Sequence, residues 1–218
     1  MTDTSRDWER RADVLAAEAI AEGRPTAWFD RLYSAGRRGD VTMPWDRQDP
    51  NQRIVEWAAR RQIRGDGRRA VVVGCGLGRD AEFVSGLGFD TTAFDIAESA
   101  VQVVLSRYPD SPVHYRVADL FDPPAEWVRA FDLVVESYTV QALPVTLRER
   151  ATRAVRNLVA PGGTLLFISN IQPDDAPPAQ GPPWPLTRAQ VEAFGQDGLV
   201  AVEIGESDRG WRAEFRRA

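Results

Sequence analysis

Three glycines at alternating positions are the residues of this chain whose spacing most clearly allows chemistry. Gly74, Gly76 and Gly78 follow a β-branched run and precede a helical pattern. Glycine lets the backbone turn tightly and lets a ligand approach it closely, and the start of a helix presents free N–H groups. In a nicotinamide dinucleotide-binding loop the third glycine would stand one position later, at Arg79. The spacing therefore predicts a ligand-binding turn and disfavours a nicotinamide-dependent oxidoreductase.

Carboxylates follow the next two strand-like runs. Asp95 and Ile96 end one run, and Asp119 and Leu120 end the next. At the carboxyl edge of a parallel sheet, a carboxylate such as Asp95 can accept hydrogen bonds from both hydroxyls of a ribose. Asp119 and its apolar neighbour suit the amino group and the face of an adenine. Together with the glycine loop they predict an adenosine site. The predicted contacts are Val73, Gly74, Gly76, Gly78, Asp95, Ile96, Asp119 and Leu120.

The composition excludes several kinds of chemistry. All 27 basic side chains are arginine, and the chain has one histidine, His114, and one cysteine, Cys75. A Schiff-base lysine, a His-rich or Cys-rich metal site and an intrachain disulfide are therefore impossible, and we expect no metal. The net charge of −5 argues against a nucleic-acid partner. No secretory pattern and no apolar run of roughly 18 residues is present, so we expect a cytoplasmic protein without a membrane partner.

The elements that must position these residues alternate between strands and helices. The predicted strands are 70–73, 90–94, 113–117, 131–135, 164–169, 199–205 and 211–216. The predicted helices between and after the first five are 78–86, 98–108, 124–130, 145–159 and 188–194. Such alternation predicts a parallel sheet covered on both faces, whereas the short connection 206–210 requires an antiparallel hairpin. We therefore predict an α/β fold with a Rossmann-like seven-stranded sheet, built from five parallel α/β units plus a C-terminal antiparallel hairpin.

The first third of the chain has a different pattern. Helical periodicity covers 5–22, 26–34 and 51–63, without a strand. We interpret residues 1–64 as an N-terminal helical lid segment packed on the same domain, and residues 65–218 as the α/β domain. A proline-rich stretch, 172–185, follows the fifth predicted strand, so we expect it to be a loop at the carboxyl edge of the sheet.

The chain resembles class I S-adenosylmethionine-dependent methyltransferases, and among them the thiopurine and thiol or halide methyltransferases. The segments that carry the resemblance are Pro44-Trp45-Asp46, the loop Gly74–Asp80, the run 131–136 with Ala142-Leu143-Pro144, the loop Gly181-Pro182-Pro183-Trp184-Pro185, and 211–217. It implies S-adenosyl-L-methionine as cofactor and S-adenosyl-L-homocysteine as product. It also implies that Trp28, Trp45 and Glu136 belong to the cofactor site. Where those relatives carry Asp-Tyr or Asp-Arg after the fourth strand, this chain has Glu136-Ser137-Tyr138, so the acceptor's identity is not inherited.

The resemblance implies an acceptor site over the carboxyl ends of the fourth and fifth strands. Its predicted residues are Tyr138, Gln141, Asn170, Trp184, Trp45 and Asp46, with Tyr138 and Asp46 as candidate catalytic residues. Methyl transfer from a sulfonium mainly needs alignment of the reacting atoms and exclusion of water. A thiol, with a pKa of about 8.5, needs no strong base.

We therefore expect methylation of a thiol or other soft nucleophile on an aromatic or heterocyclic small molecule. O- or N-methylation of a phenolic, quinone-like or natural-product acceptor is the alternative, and a non-catalytic cofactor-binding module is a third interpretation. The predicted partner is the small-molecule acceptor, and the predicted assembly is a monomer or weak homodimer.

Overall fold

The computed structural model describes residues 4–40, 46, 48–177, 179–207 and 210–218. In this part of the chain seven strands form one sheet with the order β3-β2-β1-β4-β5-β7-β6. The strands are β1 (Arg69–Val73), β2 (Asp90–Asp95), β3 (His114–Val117), β4 (Phe131–Ser137), β5 (Val159–Ser169), β6 (Leu199–Ser207) and β7 (Gly210–Arg217). Strands β1 to β5 pair in parallel, and β7 is antiparallel to β5 and to β6. The predicted fold class is confirmed, and each predicted strand is present.

The helices agree with the sequence pattern except on one stretch. Those in the described residues are α1 (Thr4–Ala21), α2 (Ala27–Arg37), α3 (Gln52–Arg61), α4 (Arg79–Gly86), α5 (Glu98–Arg107), α6 (Arg148–Leu158) and α7 (Arg188–Glu192). The helix predicted over 124–130 is wrong: it is a single 3-10 turn, Ala125–Trp127. The turn ends because Val128 is extended and Arg129 has a left-handed φ of 52°. Trp127 anchors it, with its ring 5.2 Å from that of Phe94.

The central strands are buried on both faces. Val71 and Val73 of β1 belong to one apolar cluster, which includes residues of α6, α7 and β7. Val72 belongs to a second cluster, which includes residues of α3, α4 and α5. Successive side chains of a strand point to opposite faces, so a strand covered on both sides is a continuous apolar run. This arrangement brings the carboxyl ends of β1 to β5 to one edge of the sheet.

The first two helices lie at that carboxyl edge. Trp28, Leu32 and Tyr33 of α2 form a buried cluster with residues of α1, with Leu77 of the glycine loop and with the start of α5. Asp30 of α2 accepts hydrogen bonds from Ser99 of α5, at 2.9 Å from its N–H and 2.7 Å from its hydroxyl. The helix pair is therefore fixed against the elements that follow β1 and β2. None of the described helices combines the length and the apolar character that a membrane span requires.

Candidate active site

The glycine loop connects β1 to α4 through three left-handed residues. Gly74, Gly76 and Gly78 have φ values of 58°, 51° and 87°. Residues other than glycine rarely adopt such positive values. A Cβ atom on Gly76 would lie 2.8 Å from the hydroxyl oxygen of Tyr33. Glycine is therefore required here both by the turn and by the close approach of α2.

Asp95 ends β2 and shapes this loop. Its Oδ2 accepts a hydrogen bond from the Gly76 N–H at 3.0 Å, and its Oδ1 accepts one from the Ala97 N–H at 2.9 Å. Burial raises the pKa of this carboxyl group, and the two N–H groups oppose that shift. Each carboxylate oxygen has a second lone pair. Asp95 can therefore fix the loop and still accept hydrogen bonds from ligand hydroxyls.

A cavity of about 440 Å³ opens beside the loop, within the range of about 300–1,000 Å³ typical of small-molecule sites. Most predicted site residues line it. From the predicted cofactor set these are Trp28, Val73, Gly74, Gly76, Gly78, Asp95, Ile96, Asp119 and Leu120, and from the predicted acceptor set Tyr138, Gln141 and Asn170. The structure thus brings the ends of β1 to β5 together around one space.

Glu136 and Trp184 were predicted at the site but are not among the residues that line this cavity. Glu136 is fully buried, and its Oε1 accepts a hydrogen bond from the Val140 N–H at 2.7 Å. Burial raises the pKa of Glu136 to about 8. Trp184 packs among the N-terminal helices, and the preceding Pro182 and Pro183 reach the cavity instead. The sequence locates these segments but does not show which of their side chains face the ligand.

The two lid residues predicted near the acceptor have different outcomes. Asp46 is not among the cavity-lining residues; it is 39% exposed and forms an ion pair with Arg107 of α5 at 2.8 Å. Its catalytic role stays a prediction, although its position does not favour one. Trp45 lies outside the described residues.

Tyr138 and Gln141 shape the cavity beyond β4. Tyr138 has a left-handed φ of 65°, and its N–H donates to the Ile168 carbonyl at 2.9 Å. Residues held in this region often mark functional sites. The Gln141 side chain accepts a hydrogen bond from the Asn170 N–H at 2.6 Å, and its backbone carbonyl accepts one from the Trp184 N–H at 2.7 Å. Gln141 therefore joins β5 to the proline-rich loop.

Several residues that line the cavity were not predicted from the sequence as site residues. They include Trp8, Ala12, Phe29, Tyr33, Asn51, Asp80, Ser137 and Thr139. Asn51 connects three elements, because its N–H donates to Asp80 at 2.7 Å and its side-chain amide donates to Ser137 at 3.0 Å. The sequence offered only a weak signal for Asn51, as a residue type that caps helices, and α3 does begin after it. For the aromatic residues of α1 and α2 the signal was helical periodicity alone.

Charge is distributed unevenly around the cavity. The charged residues that line it are Asp49, Arg79, Asp80, Asp95 and Asp119. We call the surface formed by residues 73–80, 94–96 and 118–121 the cofactor half; Asp49 lies next to it, in the segment before α3. We call residues 137–143, 170, 182 and 183 the acceptor half, and its described lining residues include no charged side chain.

His114 lies at the end of β3 opposite to the cavity, 59% exposed and 3.3 Å from Asp90. Among the described residues, no group of three or more His, Cys, Asp or Glu side chains could hold a metal ion.

The comparisons with known proteins agree with this geometry. Residues 71–167 match the family described as a methyltransferase domain. The ubiquinone biosynthesis O-methyltransferase of Xanthomonas campestris pv. campestris strain B100 is 32% identical over 136 residues, which cover 58% of this chain and 55% of that protein. The chain therefore spans about half the length of the curated relatives it matches.

Solved structures share the fold at lower identity. The N-methyltransferase NodS from Bradyrhizobium japonicum WM9, in complex with S-adenosyl-L-homocysteine, has a TM-score of 0.62 and 20% identity, covering 84% of this chain and 96% of that one. A structure from work on the conversion of a disulfide bond into a thioacetal group during echinomycin biosynthesis has a TM-score of 0.68 and 21% identity, covering 87% and 93%. None of these three is named a thiopurine or thiol methyltransferase, so that finer resemblance stays a prediction.

The described residues fit S-adenosylmethionine. The indole Nε1 of Trp28 is buried, has no hydrogen-bond partner among the described residues, and belongs to a cavity-lining side chain. Buried donors are normally paired, so this one suits an acceptor on a ligand, such as the carboxylate of the cofactor. The acidic excess around the cofactor half suits the positive charge of a sulfonium. The match to a methyltransferase domain over residues 71–167, the sheet order and the glycine loop together favour S-adenosylmethionine as the ligand of this cavity.

Proposed function

We propose that this protein transfers the methyl group of S-adenosylmethionine to an uncharged aromatic or heterocyclic small molecule, at a thiol or another nucleophile that ionises near neutral pH. The observation that carries the proposal is the division of the cavity. Its charged side chains lie in and beside the cofactor half, whereas the described acceptor half is uncharged. Placing a charged group there without a partner would cost free energy.

The chain's own residues would bind the cofactor, orient the reacting atoms and exclude water from them. Bound S-adenosylmethionine supplies a methyl group already activated on a sulfonium. Asp95 and the glycine loop would hold the adenosine, and Trp28 would donate to the carboxylate. Trp8 and Phe29 line the cavity from the first two helices, where they would exclude water from the reacting atoms. Alignment and desolvation are the main catalytic contributions that this arrangement can supply.

The acceptor half offers little general-base chemistry. Tyr138 is the one described residue of this half with an ionisable side chain, and His114 is at the opposite edge of the sheet. The acceptor must then bring its own acidity. A thiol meets this requirement, because an ordinary thiol with a pKa of about 8.5 is a few per cent thiolate at neutral pH.

O-methylation of a phenol is the second candidate. The observation that favours it is the name of the curated relative, a ubiquinone biosynthesis O-methyltransferase. A phenol with electron-withdrawing substituents is acidic enough to react without a dedicated base. Such a phenol and an aromatic thiol are both small and uncharged before they ionise, so both suit the uncharged lining of the acceptor half.

The test is a panel of matched acceptors. Purified protein is incubated with S-adenosylmethionine and thiophenol, phenol, 4-nitrophenol, aniline or iodide, and methylated products are measured by mass spectrometry. We expect the highest kcat/KM with thiophenol, and at least tenfold less with 4-mercaptobenzoate, which adds a charge at similar shape. Turnover of phenols without any thiol product would exclude the thiol preference. Tight binding of S-adenosylhomocysteine without any product would favour a cofactor-binding module.

The remaining expectations concern assembly and location. We infer a monomer or weak homodimer and a cytoplasmic location, neither of which the acceptor panel addresses. Light scattering after size-exclusion chromatography measures the first directly, and fractionation of the native cells measures the second.

A further inference from the structure

A buried arginine lies behind the acceptor half. Arg148 begins α6 and is only 6% exposed. Its Nη2 donates to the Trp184 carbonyl at 2.8 Å, while its Nε and Nη1 have no hydrogen-bond partner among the described residues. Burial lowers the pKa of the guanidinium to about 10, and the nearby Glu136 carboxyl group opposes this shift. An incompletely paired buried cation destabilises a fold. A role for Arg148 other than stability would therefore lie in the one hydrogen bond of its side chain to a described residue, the contact with Trp184.

The peptide groups of Trp184 are hydrogen-bonded on both sides. The Trp184 N–H donates to the Gln141 carbonyl at 2.7 Å, and the Trp184 carbonyl accepts from Arg148. The two residues before it, Pro182 and Pro183, line the cavity. Proline has no N–H, so these two cannot be anchored by donating hydrogen bonds of their own. The backbone at Trp184 is therefore where this part of the cavity wall is fixed.

A second arginine of α6 provides a comparison within the same helix. Arg156 is 5% exposed, and its Nη1 donates to the Ala193 carbonyl at 2.7 Å. Its Nη2 also pairs with Asp197 at 2.6 Å. It lies at the other end of α6 and does not line the cavity. Both arginines bridge a helix to a backbone carbonyl, but only Arg148 bridges to a segment of the acceptor half.

We propose that Arg148 is a positioning residue, which sets the shape of the acceptor half by fixing the Trp184 carbonyl and with it the Pro182-Pro183 wall. The proposal rests on the proposed function, because it assigns Arg148 to acceptor binding and not to cofactor binding. Loss of its hydrogen bond frees one side of the Trp184 peptide. The acceptor then meets a looser wall, while the glycine loop and Asp95, which Arg148 does not contact, keep their geometry.

The experiment compares Arg148→Met and Arg148→Lys with the matched control Arg156→Met. Hydrogen exchange of the ligand-free proteins is followed in the segment 182–186, where three prolines leave Trp184 and Leu186 as the exchanging amides. Acceptor KM and kcat are measured with thiophenol, and the Kd of S-adenosylhomocysteine by calorimetry. For Arg148→Met we expect faster exchange, an acceptor KM raised about tenfold and a Kd within twofold of wild type. Arg148→Lys should restore part of the protection, and Arg156→Met should change neither exchange in this segment nor KM.

Each other outcome has a distinct meaning. Unchanged exchange and unchanged KM in Arg148→Met overturn the proposal. The proposal is also overturned if Arg148→Met weakens cofactor binding as much as it raises the acceptor KM. It is overturned as well if Arg156→Met shows the same faster exchange and raised KM, because either result would indicate a general effect on the fold. If wild type turns over no acceptor, the proposed function fails, and exchange that is unchanged in Arg148→Met would still reject the role of Arg148 independently.

Discussion

The two halves of the cavity are built by different means. The cofactor half consists of strand ends and a glycine turn, in which Asp95 accepts hydrogen bonds from the N–H groups of Gly76, 19 residues away, and of Ala97, 2 residues away. The acceptor half is assembled over longer separations, because Gln141 joins Asn170 and Trp184. One half is acidic and formed by strand ends and a glycine turn, and the other is uncharged and held by hydrogen bonds between loops.

This difference explains why the cofactor half can be predicted from the sequence. A strand followed by alternating glycines, and carboxylates after the next two strands, specify positions through local geometry. The acceptor half depends on how loops pack after the sheet has formed. A change of acceptor would therefore need new loops, whereas the cofactor half could remain the same.

Replacement of Asp95 should have the largest effect and should separate the halves most clearly. Asp95→Ala removes a buried carboxylate that binds the loop and, in our proposal, the ribose. We expect S-adenosylhomocysteine to bind more weakly by about 2–3 kcal/mol, since two charge-assisted hydrogen bonds are lost. Calorimetry measures the affinity. Asp132→Ala is the matched control, because Asp132 also accepts a backbone N–H, that of Arg69 at 2.9 Å, but at the amino edge. Unchanged affinity in Asp95→Ala would mean that the cofactor half is misplaced.

Glu136 tests whether the buried carboxyl group behind the acceptor half is protonated at neutral pH. Burial raises its pKa to about 8, although Arg148 opposes the shift. Because the native pKa is above the unfolded value of about 4.3, the native state keeps the proton longer. The stability that this gives is complete below about pH 4 and is lost as the pH rises through about 8.

The comparison is between wild type and Glu136→Gln, which cannot ionise. We expect the stability of wild type relative to the variant to fall by roughly 2–3 kcal/mol between pH 6 and pH 9. Urea unfolding at each pH measures this difference. Parallel pH profiles for the two proteins would show that Glu136 is already ionised at pH 6, and the contrast between the two halves would then need revision.

The fold could be predicted because its signals are repeated along the chain. Apolar runs separated by helical patterns indicate a doubly covered parallel sheet, and only a hairpin fits the short connection before Trp211. The predicted helix at 124–130 failed because its pattern did not reveal the left-handed residue Arg129. The residue types in a segment rarely show which non-glycine residue will adopt a left-handed φ.

The acceptor half could be predicted only as a set of segments. The sequence located the proline-rich loop, yet Trp184 packs inward on the N-terminal helices while Pro182 and Pro183 line the cavity. Tyr33 was also missed, since its contact with Gly76 exists only once α2 has packed over the loop. Both facts depend on tertiary packing between elements far apart in the chain.

Asn170 allows a smaller test of the acceptor half. Its backbone N–H is bound by Gln141, whereas its side-chain amide has no hydrogen-bond partner among the described residues. For an acceptor with a polar ring atom or substituent, we expect Asn170→Ala to lower kcat/KM by roughly fivefold, equivalent to about 1 kcal/mol for one hydrogen bond. The Kd of S-adenosylhomocysteine should not change. An acceptor without the polar group serves as the control, and an equal loss with both acceptors would contradict a direct contact.

Asp46 should give the smallest effect, and it decides whether a catalytic group from the lid segment completes the acceptor half. In the structure its carboxylate pairs with Arg107 at 2.8 Å and is 39% exposed. Exposed ion pairs contribute about 0–1 kcal/mol. We therefore expect Asp46→Asn to change kcat by less than threefold, with stability lowered slightly and equally by Arg107→Gln. A loss of kcat above a hundredfold in Asp46→Asn, absent from Arg107→Gln, would instead require that Asp46 leaves this ion pair and acts on the acceptor, so the acceptor half would then carry a charge during the reaction.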